Sequence, residues 1–382
     1  MRFALLWLAL LAVACESSDP ELTPLDSGAD AGADTATTDT LVVGGDADAA
    51  ADTGPICPST EAVVPLPDDP SCKPKTGDFV PGTDDGWPVC ISDDALYHPF
   101  TTSISSVARV DAFERIAAKL GFGTSKAPTA TEFVEAKAIF AEDQGLGSRV
   151  ERREDEHYPA APGACNTLTP EQLAMHSDRC VGPAKLLPLV NAAFADGAAG
   201  TEPRENAARL EAALLWFLYV SPYKEARTCS SKLDDCDSSY AYYTGGDAMS
   251  AGKGFARYVR ARSPQTHAAV WNGVLAVRCW RDLDNPTGAA ADLAQRDKAV
   301  AQLDRAMHRG LTVIVRQRIT QRLCNSSWIG TRILGAVLDR EATARDATKA
   351  AVLRSELAKT DPAAVDEKAL LAALDTLFPC AY

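Results

Sequence analysis

Eleven cysteines behind a short apolar N-terminus constrain this 382-residue chain more than any other feature. Residues 1–14, MRFALLWLALLAVA, carry one basic residue, Arg2, and then an apolar run that ends at Ala12-Val13-Ala14-Cys15. The run is too short to cross about 30 Å of hydrocarbon as a helix. It has the make-up of an export signal instead. Cysteines of an exported chain pair, so the fold is expected to be stapled. No CxxC redox pair, CxxCH haem site or zinc-type Cys/His spacing is present.

Small residues ahead of Cys15 resemble the lipobox of bacterial lipoproteins. The resemblance implies cleavage before Cys15 and acylation of that residue, which would anchor the chain to a membrane. Setting Cys15 aside leaves an even set: Cys57, Cys72, Cys90, Cys165, Cys180, Cys229, Cys236, Cys279, Cys324 and Cys380. These are expected to form disulfides, each contributing about 2–4 kcal/mol by restricting the unfolded chain. Neighbours on short loops, Cys229 with Cys236 and Cys165 with Cys180, are the first pairings to expect; the rest of the connectivity stays open. Glu16, rather than Asp, follows Cys15, which directs the expectation to an outer-membrane lipoprotein on the periplasmic or the surface face.

Four regions are predicted: a signal at 1–14, a lipidated cysteine and tether at 15–56, a lead-in at 57–100 and a globular domain at 101–382. Residues 16–56 hold ten acidic residues and no Lys, Arg or aromatic residue. Such Ala/Asp/Gly/Thr sequence cannot bury enough apolar area to offset its ordering entropy, so it reads as a disordered acidic tether. The calcium loop DxDxDG is absent from it. Most of the net charge of −14 belongs to this stretch, which leaves the globular part nearly balanced. A nucleic-acid partner is not expected, because no basic face is available to neutralise phosphates.

Residues 57–100 are rich in Pro, Gly, Asp and Cys. From about residue 103 the pattern becomes helical. Val107, Val110, Phe113, Ile116, Ala117 and Leu120 recur at three- and four-residue steps, and Gly121 and Gly123 stop the run. A second helix is expected at 131–142, presenting Phe133, Val134, Ala138 and Ile139. Thr169-Pro170-Glu171-Gln172 is a capping box with proline at the first helical position, and Ser263-Pro264 repeats the cap and proline. Further helices are predicted near 183–195, 203–220, 263–281, 291–323, 327–345 and 363–377. Strand alternation is missing. The fold class is therefore all-α, an irregular multi-helix bundle of helical hairpins, disulfide-stabilised behind the tether.

Ala207–Val220, AARLEAALLWFLYV, is the most apolar helix and is expected to end at Ser221-Pro222. It reads as a central core helix. Glu211 within it needs a basic partner if it faces inward, for example Arg278, or it helps to hold a ligand.

Motif chemistry is sparse. The two SxxK matches, Ser221–Lys224 and Ser250–Lys253, follow the single KTG at Lys75–Gly77 in the wrong order for a penicillin-recognising enzyme. Gly246–Lys253 has the wrong spacing for a phosphate loop. GxSxG and HExxH are absent, and only five histidines occur: His98, His157, His176, His267 and His308. No catalytic residue is assigned, and the reading leans away from an enzyme.

Two segments carry ligand-type side chains. Arg152–Pro159 crowds Glu154, Asp155, Glu156 and His157 ahead of a proline, a donor set suited to iron, manganese or calcium. Asp235–Gly246, DCDSSYAYYTGG, sets two aspartates beside three tyrosines and is expected to form a loop or the start of a helix. The whole stretch Glu205–Gly246, an apolar helix, a cysteine loop and an acidic-aromatic segment, resembles the imelysin-like helical lipoproteins, which carry an Asp/Glu-plus-aromatic "DEAFGYF" segment. That resemblance implies an exported helical protein with a role in iron or other divalent-metal handling. On it, Glu154, Glu156 and His157 would join Asp237 and Glu211 around a metal. The leading expectation is a lipid-anchored envelope protein that binds a protein or small-molecule partner; metal handling is the alternative.

Overall fold

A computed structural model of the chain describes residues 72–82, 84–284, 291–324 and 327–380. The signal, Cys15, the tether and Cys57 lie outside this range. The described residues fall within one compact unit, Thr53–Tyr382. Their regular structure is helical: α1 Val107–Leu120, α2 Ala130–Phe140, α3 Leu146–Val150, α4 Pro170–Met175, α5 Leu187–Ala198, α6 Pro203–Thr228, α7 Leu233–Thr244, α8 Phe255–Arg262, α9 Pro264–Asp284, α10 Leu293–Thr320, α11 Ser327–Val337, α12 Asp339–Arg345, α13 Ala347–Leu357 and α14 Glu367–Leu377. No strand occurs among the described residues, so the chain is all-α.

The local signals act as the sequence predicts in several places. α1 buries Val110, Phe113, Ile116, Ala117 and Leu120, and Gly121 ends it at φ 65°, donating its N–H to Ala117 O. The Thr169 hydroxyl accepts from Gln172 N and the Gln172 side chain accepts from Thr169 N, closing the predicted box at α4. Ser263 separates α8 from α9, and its Oγ accepts from Thr266 N at 3.1 Å.

Elsewhere tertiary packing overrides the local reading. α2 turns Phe133, Ala136 and Phe140 inward and leaves Val134 57% exposed, a face rotated from the predicted one. α6 does not stop at Ser221-Pro222; it continues to Thr228 with Pro222 inside it. Ser221 donates its hydroxyl to Phe217 O at 2.5 Å, and Ser239 donates to Pro222 O at 2.8 Å. The flanking residues from Tyr219 to Tyr223 are all buried, so packing compensates for the helix bond that proline cannot make. The predicted helix at 327–345 is two helices that meet at Leu338. α8 and α13 form in segments where no helix is expected, and the segment from Asp235, expected as a loop or a helix start, is helical to Thr244.

α6 runs through the core. It packs on α5, α7 and α11, while α9 and α10 form the most extensive helical pair. No helix among the described residues is long and apolar enough to cross a membrane.

Both short-loop pairings form, Cys165–Cys180 and Cys229–Cys236. Two others span the chain: Cys72–Cys380 and Cys90–Cys279. Cys324 is disulfide-bonded as well. The described lead-in is part of the body rather than a separate segment. Phe79 is wholly buried, and its N–H and C=O are both met by the Gln302 side chain of α10. Trp271 of α9 donates to Ala95 O, and Arg278 donates to His98 O.

Candidate metal centre

Residues 152–158 enter the body as an irregular segment after α3. Gly182 fixes the approach: a Cβ there would lie 2.3 Å from Val150 O and 2.6 Å from Arg153 N. The Gly182 N–H reaches Arg153 O at 2.8 Å, and Asp155 N donates to Arg179 O at 2.8 Å. The segment sends its side chains in different directions. Arg153 is buried, pairs with Glu225 at 2.9 Å, and sits 5.0 Å from the ring centroids of both Phe217 and Tyr242. Glu154 and Glu156 both take the guanidinium of Arg179, at 2.8 and 2.6 Å. Asp155 turns the other way, to His157.

His157 is the centre of a second network. Its Nδ1 lies 2.5 Å from Asp155 Oδ1, and its Nε2 lies 2.8 Å from Asp304 Oδ1 on α10. Its ring stacks on Tyr223 of α6 with centroids 4.0 Å apart and planes 4° from parallel. One turn back on α6, Tyr219 lies parallel at 6.4 Å. Asp304 and His308 stand four residues apart and therefore share one face of α10. His308 Nδ1 lies 3.2 Å from Asp304 Oδ1 and 2.9 Å from Asp304 O. Arg340 Nη2 donates to His308 Nε2 at 3.4 Å, and Arg340 lies 3.6 Å from the carboxylate of Glu341.

The two carboxylates favour a positive charge on the His157 ring, a proton that a metal at Nε2 would displace. Burial works against a charged His157, but the hydrogen bonds to Asp155 and Asp304 outweigh it and raise its pKa to about 9. Burial would raise Asp304, yet its bonds to His157 and His308 hold it well below the usual carboxylate range.

One ligand atom each from His157, Asp304 and His308 falls within 4.8 Å of the others. Ligand atoms about 2.0–2.2 Å from a metal and at right angles to each other lie about 3 Å apart. The 2.8 and 3.2 Å separations around Asp304 Oδ1 match such edges. Two imidazoles with one carboxylate are the donor set of open-sided non-haem iron sites and of several zinc sites. Asp155 on the far nitrogen of His157 is the outer-shell carboxylate that orients a metal-binding imidazole.

The structure brings one sequence-predicted metal residue, His157, to this place. Asp237 is wholly buried elsewhere and accepts from Tyr97 Oη, Phe100 N, Thr101 N and Thr101 Oγ1 at 2.9–3.1 Å. It ties the lead-in to α7. Glu211 accepts from Tyr258 Oη at 2.6 Å and pairs with Arg318 at 2.8 Å. Its basic partner is thus Arg318. Arg278 instead lies over the Phe100 ring, 3.7 Å from its centroid. Glu154 and Glu156 are engaged by Arg179. Asp304 and His308 went unread, although the spacing Asp-x-x-x-His within a predicted helix places both on one face.

Compared with family models, curated proteins and solved structures, the chain matches none.

Proposed function

We propose that this chain is an exported, lipid-tethered envelope protein whose helical body binds a first-row divalent metal ion between His157, Asp304 and His308. The convergence of those three side chains, with Asp155 behind His157, is the observation that carries the reading. The donor set, two nitrogens to one oxygen, favours iron, manganese or zinc over calcium. A divalent ion also balances the charges of Asp155 and Asp304 when both imidazoles are neutral. The disulfides support an oxidising, exported compartment, and the lipobox-like Ala12–Cys15 supports a membrane anchor, with the outer membrane as its destination. The metal reading rests on the centre and not on the imelysin-like segment, whose Asp237 is held by the lead-in.

Elemental mass spectrometry of the purified, oxidised chain after exposure to iron(II), manganese(II) and zinc(II) tests this reading. About one equivalent of one metal is expected, and His308→Ala should lose it. Absence of bound metal under all three conditions would reduce the cluster to a half-buried ion bridge that pins residues 155–157 to α10.

A further inference from the structure

A cleft of about 520 Å³ lies between α5, α6, α11 and α13, apart from the metal centre. Its wall is apolar: Leu189, Trp216, Ile329 and Ile333 are only partly buried and turn toward it, over a floor of Leu353 and Leu357. α11 approaches α13 closely there, because Gly335 leaves room; a Cβ on it would stand 2.5 Å from a Leu357 methyl. Concave, mainly apolar spaces of about 300–1,000 Å³ with a few placed polar groups are the form of small-molecule sites.

The Trp216 indole N–H is enclosed and makes no hydrogen bond, so the part of Trp216 that lines the cleft is apolar. Arg332 donates Nε to Leu357 O at 2.9 Å and Nη2 to Ala358 O at 3.5 Å, but it has no carboxylate partner among the described residues. The other cations of the rim are balanced: Lys185 pairs with Asp178 and Arg354 with Asp339. A long apolar wall beside a guanidinium that has no carboxylate partner complements an amphiphile with a single anionic head.

We infer that this cleft binds a free fatty acid, its carboxylate on Arg332 and its acyl chain along Trp216, Ile329 and Ile333. The inference is independent of the metal reading, since none of its residues belongs to that centre.

Isothermal titration of the purified, disulfide-intact chain with laurate, in detergent-free buffer, tests it. One saturable site is expected. Arg332→Gln should weaken laurate about tenfold while leaving dodecanol, the same chain without the charge, unaffected. Ile333→Glu should abolish both. Because both residues are partly exposed, circular dichroism should show each variant folded. The inference fails if laurate shows no saturable binding, or if neither variant alters it. It also fails if the chain self-associates in sedimentation and Ile333→Glu makes it monomeric, which would give the cleft to a second copy.

Discussion

Oδ1 of Asp304 stands 2.8 Å from Nε2 of His157 although 147 residues separate the two in the chain. A loop after α3 and the middle of α10 are thereby joined at one half-buried carboxylate. The second imidazole of the group, His308, comes from the same helix face as Asp304. This juxtaposition is the reason to read a metal centre rather than a solvated charge run at residues 152–158.

Arg340 is the cation that faces the centre, through His308. Its positive charge opposes a metal at that ring. Arg340→Gln is therefore expected to tighten manganese or zinc binding by about three- to tenfold. Competition against a metal indicator dye at constant salt checks this, and unchanged affinity would separate Arg340 from the centre.

Asp237 accepts two hydrogen bonds from the lead-in and two from Thr101 just after it, while wholly buried. Asp237→Ala leaves those donors unmet and should cost about 3 kcal/mol in urea unfolding. Amide exchange at Phe100 and Thr101 should rise with it. Metal content should stay that of the parent protein, which distinguishes this structural role from the one its sequence context suggests.

His267 gives the fold a dependence on acid. It is buried, its Nδ1 accepts from Tyr243 Oη at 2.7 Å, and its Nε2 faces Met249 O at 2.8 Å. Burial lowers its pKa, with Arg260 adding to the shift and the Met249 carbonyl opposing it. The folded state thus disfavours the proton that the unfolded chain takes up below about pH 6.5. The stability it contributes is complete above that pH and is lost as pH falls through the folded value. Urea midpoints measured from about pH 6.5 down to 5, below the interval in which His157 titrates in the folded chain, should decline, and His267→Gln should decline less steeply over the same interval.

The disulfides are expected to differ in weight. Cys229–Cys236 closes a separation of 7 residues and Cys72–Cys380 one of 308. Loop entropy then assigns about 2 kcal/mol to the first and about 4–5 kcal/mol to the second, allowing for the shortening of the long loop by Cys90–Cys279. Paired Cys→Ser variants compared by urea unfolding read the difference directly. Equal losses would show that native-state contacts, not chain entropy, set their contributions.

What the sequence disclosed follows physical range. α1 was legible because its apolar spacing and Gly121 are local, and α4 because Thr169 and Gln172 are three residues apart. Cys165–Cys180 and Cys229–Cys236 were legible for the same reason. The continuation of α6 through Pro222 was not, since it depends on burial against α7 and other elements. α7 was legible only as a loop or a helix start because its aspartates, serines and tyrosines carry no simple apolar stripe; from Cys236 on, all of it but Ser238 is buried, with Asp237 satisfied by Tyr97, Phe100 and Thr101. Within Glu154-Asp155-Glu156-His157 the composition pointed to ligands, but which acid serves which partner was decided by Arg179, 24 residues on from Asp155, and by Asp304.

The central claim is met most directly by an anomalous-difference map from crystals of the chain grown with manganese or zinc, collected above and below the metal edge. The account predicts one strong peak about 2.0–2.3 Å from a ring nitrogen of His157, a carboxylate oxygen of Asp304 and a ring nitrogen of His308. A map with no peak there, and with His157 Nε2 still hydrogen-bonded to Asp304, would contradict it.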